Sequence, residues 1–343
     1  MKKLLSLALA LIMVLSLSVA VFADDLADRN DKYVDIAIKF EGTGTVTAET
    51  FNYVINDGAL VDGDTVYVTD SPVTNADGVI PEITIDTTYT TRTLIPGQTG
   101  NLRLNLPTYN SVGVYYYTVT QTPGNTAGVE YDSKEIIVKV TVVQQADGKI
   151  NVAFATASLA DTNPSDDKTD VKIAEFVNTY SAGSLSVKKL VTGNLGDRDK
   201  EFNVKVTFTA PTDKEVESVI SYTDGTAQTI ATSAWKEKNG SKQAEVTITL
   251  KHDETVTFTN IPYGVTYKVE ETSYQDDGYT TTYSGNENGT INAVTDTVTI
   301  TNTKNSTVDT GIVLDSLPYV LLIAVAVVGV VIFTSRKRSH REY

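Results

Sequence analysis

From residue 33 to residue 303 the chain reads almost everywhere as β-strand, and this restricts it to all-β architectures. Apolar and polar residues alternate with period two in short runs rich in Val, Ile, Thr and Tyr. The first half gives Tyr33–Phe40, Phe51–Ile55, Thr65–Val68, Val114–Gln121, Lys134–Gln144 and Ile150–Ala155. The second gives Ser184–Thr192, Glu201–Thr209, Glu245–Lys251, Thr255–Thr259, Thr266–Thr272, Thr280–Tyr283 and Asp296–Thr303. Asp147-Gly148, Asp224-Gly225, Asn239-Gly240 and Asp277-Gly278 supply turns between them. No long segment carries the period of an amphipathic helix. Short strands at this spacing predict immunoglobulin-like β-sandwich domains.

A boundary falls near Ser181-Ala182-Gly183, where one strand ends in Asn178-Thr179-Tyr180 and the next begins at Leu185. The two sides look like diverged copies of one unit. Asn105-Leu106-Pro107 precedes a strand ending at Gln121, and Asn260-Ile261-Pro262 precedes one ending at Glu271. Both units close on a strand with Asn followed by Thr. Lys39 and Gln121 are separated by 82 positions, as are Lys189 and Glu271.

The ends read as addresses rather than fold. Lys2 and Lys3, the apolar run 4–22 and Ala23 form a secretory signal peptide, residues 1–23. At the other end Thr307-Val308-Asp309-Thr310-Gly311 precedes an uncharged run, Leu317–Thr334, long enough for a transmembrane helix. Arg336, Lys337, Arg338 and Arg341 would hold its end in the cytoplasm. This cassette resembles a Gram-positive cell-wall sorting signal with Val308 at the usual proline position. The resemblance implies that a sortase cuts between Thr310 and Gly311 and passes the Thr310 carbonyl to an amine. The expected organisation is therefore signal peptide 1–23, β-sandwiches 24–181 and 182–305, and sorting tail 306–343.

The whole chain has 28 basic and 43 acidic residues. Leaving out the six basic and two acidic residues outside 24–310 gives 22 and 41, a net charge of −19. Such acidity argues against nucleic acid as a partner and suits an exported, soluble surface. The chain has no cysteine. It relies on its cores alone or is stapled by chemistry other than disulfides.

One pattern offers that chemistry. Leu185, Val187, Lys189 and Val191 share a strand face, so Lys189 points into a core. Tyr267, Val269 and Glu271 share another, and Val298, Ile300 and Asn302 a third. Burial drives a lysine towards its neutral, nucleophilic form and favours a protonated carboxyl. The Asn carboxamide is the electrophile, and the product is a Lys–Asn amide with loss of ammonia. A buried trio joined only by hydrogen bonds or an ion pair is the alternative.

VKKLVTGNLGDRDKEFNVKVTFTA, NIPYGVTYKVEET and TITNTK resemble the C-terminal Cna-B-type domain of the streptococcal T-antigen-type major pilins. FNYVIND, YYYTVTQTPGNTAGVEYD and EFVNTY resemble the N-terminal domain of that family. The resemblance implies a backbone pilin with isopeptide bonds. It assigns Lys189 and Asn302 as the linked pair, promoted by Glu271, and Lys39, Gln121 and Asn178 as the matching trio of the first domain. Gln121 replaces the acid there, and Lys39 is out of phase with Val34, Ile36, Ile38 and Phe40. Two arrangements fit: a β-bulge turns Lys39 inward, with another acid such as Glu130, or Lys39 is solvated and the domain is not cross-linked. The resemblance also places the amine that receives Thr310 just before the last strand of the first domain, at Lys172 or Lys168.

The partners expected are a sortase, neighbouring copies, minor pilins and peptidoglycan, with the chain an enzyme's substrate rather than an enzyme. A monomeric wall-anchored adhesin for a host ligand is the rival reading. No metal or cofactor pattern is present, and Trp235 and the tyrosines read as sheet packing.

Overall fold

Val34, Ile36, Ile38 and Phe40 point inward from the strand Tyr33–Gly42, as a two-residue period requires. In the computed structural model, which describes residues 30–62, 65–66, 81–159, 174–306 and 317–339, this strand is central to a five-stranded sheet. The sheet order is Thr84–Ile85, Gln98–Asn105, Tyr33–Gly42, Glu175–Tyr180, Val129–Glu130. A second sheet runs Ile150–Leu159, Glu135–Gln144, Gly113–Thr122, Asn52–Asp62, Thr65–Val66. Their inner faces share one core that includes Ile36, Leu102, Tyr115, Val138 and Phe176. Burial of that apolar face is what favours the sandwich.

The second domain repeats the plan. One sheet runs Thr226–Ile230, Ile220–Asp224, Thr255–Pro262, Ala182–Thr192, Thr295–Thr303, Thr280–Ser284. The facing sheet runs Lys236–Lys238, Ser241–Leu250, Phe202–Thr209, Thr266–Glu271, Asn288–Thr290. A separate core, with Leu185, Val204, Phe208, Ile248, Phe258 and Ile300, fills the space between.

The likeness between the halves extends to strand pairing. In each domain the opening strand lies parallel to the closing strand and antiparallel to a third. In the first domain these neighbours are Glu175–Tyr180 and Gln98–Asn105; in the second they are Thr295–Thr303 and Thr255–Pro262. Gln98–Asn105 was not evident from the sequence, because Gly100, Asn101 and Arg103 interrupt it and only Leu102 and Leu104 are fully buried.

The two sandwiches are joined by more than the chain. Asn260, at a positive φ of 62°, accepts from the Thr45 N–H at 2.9 Å and donates to the Thr45 and Val219 carbonyls at 2.7 and 3.0 Å. A Cβ on Gly44 would sit 2.5 Å from the Asn260 Oδ1, so a residue with a side chain is excluded there. Ala127 N–H donates to the Glu215 carbonyl, Glu215 N–H to that of Asn125, and Tyr263 N–H to that of Ser181.

A C-terminal helix covers Leu317–Ser339. It continues past the expected end at Thr334 through Arg336, Lys337 and Arg338, residue types with good helical propensity. Side chains at 319–334 are exposed. Among the described residues no helix is long and apolar enough to cross a membrane. The leader 1–23, Lys168, Lys172, Thr310, Gly311 and Arg341 lie outside the described residues.

Candidate functional site: a buried lysine, glutamate and asparagine

Three strands bring the second-domain trio together. Lys189 faces inward from Ala182–Thr192, with Val187 and Val191 on the same face. The closing strand lies beside it in parallel register, Lys189 opposite Ile300 and Val191 opposite Asn302. Asn302 is therefore one side-chain position further along the adjacent strand, on the same inward face. Glu271 reaches in from the facing sheet, where it pairs with Val204.

Lys189 Nζ lies 2.7 Å from Glu271 Oε1, with side-chain exposures of 0% and 1%. The contact is close but poorly aligned, so neither atom has a well-directed hydrogen bond. Both amide atoms of Asn302, Nδ2 and Oδ1, are buried without a partner. Fully buried polar groups are normally paired. Here four atoms on three converging side chains are not.

The surroundings hold these groups dry. Phe202 places its ring centroid 4.3 Å from Lys189 Nζ and packs edge-on against Tyr274 and Tyr279. Val191, Phe202 and Tyr279 form a small apolar cluster of their own, with Tyr274 against it. Burial pulls the Lys189 amine below its ordinary value, against the opposing effect of Glu271. Sequence reasoning missed the orienting contacts on the acid. Thr281 Oγ1 donates to Glu271 Oε2 at 3.1 Å, and the Tyr283 hydroxyl accepts from the Glu271 N–H at 2.9 Å. Both come from Thr280–Ser284, the strand paired with Asn302, and their i, i+2 spacing was the available signal.

The first domain differs at two of three positions. Lys39 lies in an unbulged strand and faces outward, 40% exposed, with Nζ 2.8 Å from Glu175 Oε2. The expectation that it could pair with Asn178 is corrected: no bulge turns it inward. Asn178 stands opposite Phe40, as Asn302 stands opposite Val191. The place of Lys189, two residues earlier, is thus held by Ile38, fully buried. Gln121 and Asn178 instead form a reciprocal amide pair, Gln121 Nε2 donating at 2.6 Å and Asn178 Nδ2 at 3.2 Å. The Asp132 N–H adds a third bond, to Asn178 Oδ1 at 3.1 Å. Glu130, the alternative acid, is exposed. The buried acid here is Asp132, whose carboxylate accepts from the Val177 N–H at 2.7 Å and meets Lys134 Nζ at 3.1 Å, and with Ile38 in the lysine's place no buried amine among the described residues faces Asn178.

Tandem sandwiches whose terminal strands run parallel, one of them enclosing a dry Lys–Glu–Asn trio, define an all-β two-domain protein. Residues 43–181 match the family described as Spy0128-like isopeptide containing domain (FctA), and residues 183–304 match a domain of unknown function, DUF7601. A pilin of Streptococcus pyogenes serotype M1 is 30% identical over 253 residues, 68% of this chain and 70% of the relative. The major pilin from Streptococcus pyogenes is similar in fold, with a TM-score of 0.50 at 21% identity, covering 81% of this chain and all of that one. An asparagine-to-alanine mutant of it gives 0.50 at 22% identity, with the same coverage. The chain belongs to the pilin family. It is a structural pilin subunit.

Proposed function

We propose that this chain is a backbone pilin stapled in its second domain by a Lys189–Asn302 amide and polymerised by a sortase through Thr310. The observation that carries the staple is the dry, close-set trio Lys189, Glu271 and Asn302 on the terminal strands and the sheet facing them.

Transfer of a proton from Lys189 Nζ to Glu271 across 2.7 Å turns a buried ion pair into two neutral groups. The neutral amine attacks Asn302 Cγ. Protonated Glu271 donates to the carboxamide and takes up the proton the amine loses, which passes to the departing nitrogen. The Nζ–Cγ bond forms, the Cγ–Nδ2 bond breaks, and one ammonia leaves. The reaction occurs once per molecule, so the chain is its own single-turnover promoter.

For export and assembly, the leader 1–23 is removed and the apolar stretch 317–334 holds the chain at the membrane. Sortase cleaves Thr310–Gly311 and joins the Thr310 carbonyl to Lys172 of a neighbouring copy, with Lys168 the second choice. Minor pilins and peptidoglycan are the remaining partners. What supports this is the family, the sorting cassette and the acidic, cysteine-free ectodomain. Detergent-boiled cell-wall extracts should give a high-mass ladder that Thr310→Ala abolishes and that Lys172→Ala or Lys168→Ala removes. A single monomer band from the unmodified strain would instead indicate the monomeric wall-anchored adhesin.

A further inference from the structure

Past Lys188, which pairs with Thr255, the opening strand of the second domain has run beyond its neighbour Thr255–Pro262. The backbone groups around Lys189 would then lose their ladder partners, and they are taken over by the turn His252-Asp253-Glu254. Lys189 N–H donates to the Glu254 carbonyl at 2.9 Å, and its carbonyl accepts from the Asp253 N–H at 2.8 Å. Asp253 reaches this position with a left-handed φ of 65°, and its carboxylate meets Lys188 Nζ at 2.7 Å. Two residues on, the Val191 N–H donates to His252 Nδ1 at 2.9 Å. A backbone N–H can only donate, so Nδ1 carries no proton and the ring is the Nε2–H tautomer. Val191 is the residue opposite Asn302. The turn thus grips the backbone at the nucleophile and, through His252, at the point level with the electrophile. It is itself held by Lys251 N–H on Glu254 Oε2 at 2.7 Å and Glu254 N–H on the Lys251 carbonyl at 3.2 Å.

We infer that His252 is a positioning residue for Lys189–Asn302 bond formation, holding the strand so that the amine meets the carboxamide before the covalent bond exists. This rests on the reading that the two residues are joined. A nucleophile fixed at its target loses little entropy on reaction, and displacement by about 1 Å costs about 100-fold in rate. His252 touches neither reacting atom; it acts through Val191.

The test follows ammonia loss during cell-free synthesis of the full chain, with timed quenching in acid denaturant and intact mass measurement. His252→Leu fills similar space but accepts no hydrogen bond, and should slow the loss by about ten-fold or more. His252→Asn places Oδ1 the same number of bonds from Cα as Nδ1 and should restore a rate close to wild type. The same substitutions in an Asn302→Ala background, where no bond forms, report on folding alone. If His252→Leu does not fold, His252→Gln takes its place, its carbonyl one bond too far out, with the same slowing expected. Wild-type kinetics in the leucine variant would overturn the inference. So would equal slowing in the leucine and asparagine variants of matched stability. A wild-type chain that loses no ammonia would overturn the staple itself, a separate and recognisable failure.

Discussion

Replacing Asn302 by alanine isolates the covalent contribution with little else disturbed. Asn302 Nδ2 and Oδ1 make no hydrogen bonds, so their removal breaks none, and the Lys189–Glu271 contact keeps both its members. What disappears is the constraint on the unfolded chain from a link closing residues 189–302. A loop of this size restricts the denatured ensemble by about 5 kcal/mol on the chain-entropy account used for disulfides. A domain of about 120 residues unfolds with an entropy of roughly 0.25 kcal/mol/K, so the second domain should melt about 20 °C lower. Calorimetry of the secreted ectodomain would read the shift, and intact mass would show the wild type one ammonia short of its sequence mass and the variant at full mass. A wild type at full mass, or a full-mass variant that melts within about 5 °C of a wild type one ammonia short, would refute the reasoning.

In the first domain, Ile38→Lys combined with Gln121→Glu should supply the missing amine and an acid beside Asn178 and remove a second ammonia by mass, while either change alone removes none. Asn178→Ala should leave the mass deficit at one ammonia and destabilise that domain by about 2–3 kcal/mol, since Gln121 and the Asp132 N–H lose buried partners. In Asn302→Ala the free Lys189 amine is held below 10.5 by burial, so the folded state binds fewer protons than the unfolded one between that lowered value and 10.5. Stability of the variant should therefore rise with pH across that window in denaturant titrations, and the cross-linked wild type, whose Lys189 no longer titrates, should lack the rise.

The fold was legible because strand faces are written at period two, and a charged residue in an apolar row is visible as such. Lys189 among Leu185, Val187 and Val191 is the clearest instance, and the structure buries it fully. Phase also gave the warning about Lys39, since Val34, Ile36, Ile38 and Phe40 had already claimed the inward face. Harder to see was what fills the vacated places. That Ile38 matches Lys189 follows from the parallel register of the terminal strands, which joins positions more than 130 residues apart in the first domain. Equal spacing of 82 from Lys39 to Gln121 and from Lys189 to Glu271 pointed one residue away from the true match. The His252 contact and the Thr281 and Tyr283 contacts on Glu271 were also hidden, because each depends on which strand ends where.

The parallel pairing of first and last strands decides how a fibre of such subunits would stretch. For a subunit held at Lys172 and Thr310, the backbone between those points numbers 138 residues. A bond from Lys189 to Asn302 short-circuits 113 of them, leaving 17 before the link and 8 after it. At about 3.5 Å per residue, some 400 Å of slack per subunit is sealed away from tension. Residues 30–159 of the first sandwich lie upstream of the point of attachment and receive none of the pull along the chain. Of that sandwich only the closing strand Glu175–Tyr180, which carries Asn178, lies between the two points of attachment, so tension would run through one strand of the first domain and through the whole of the second.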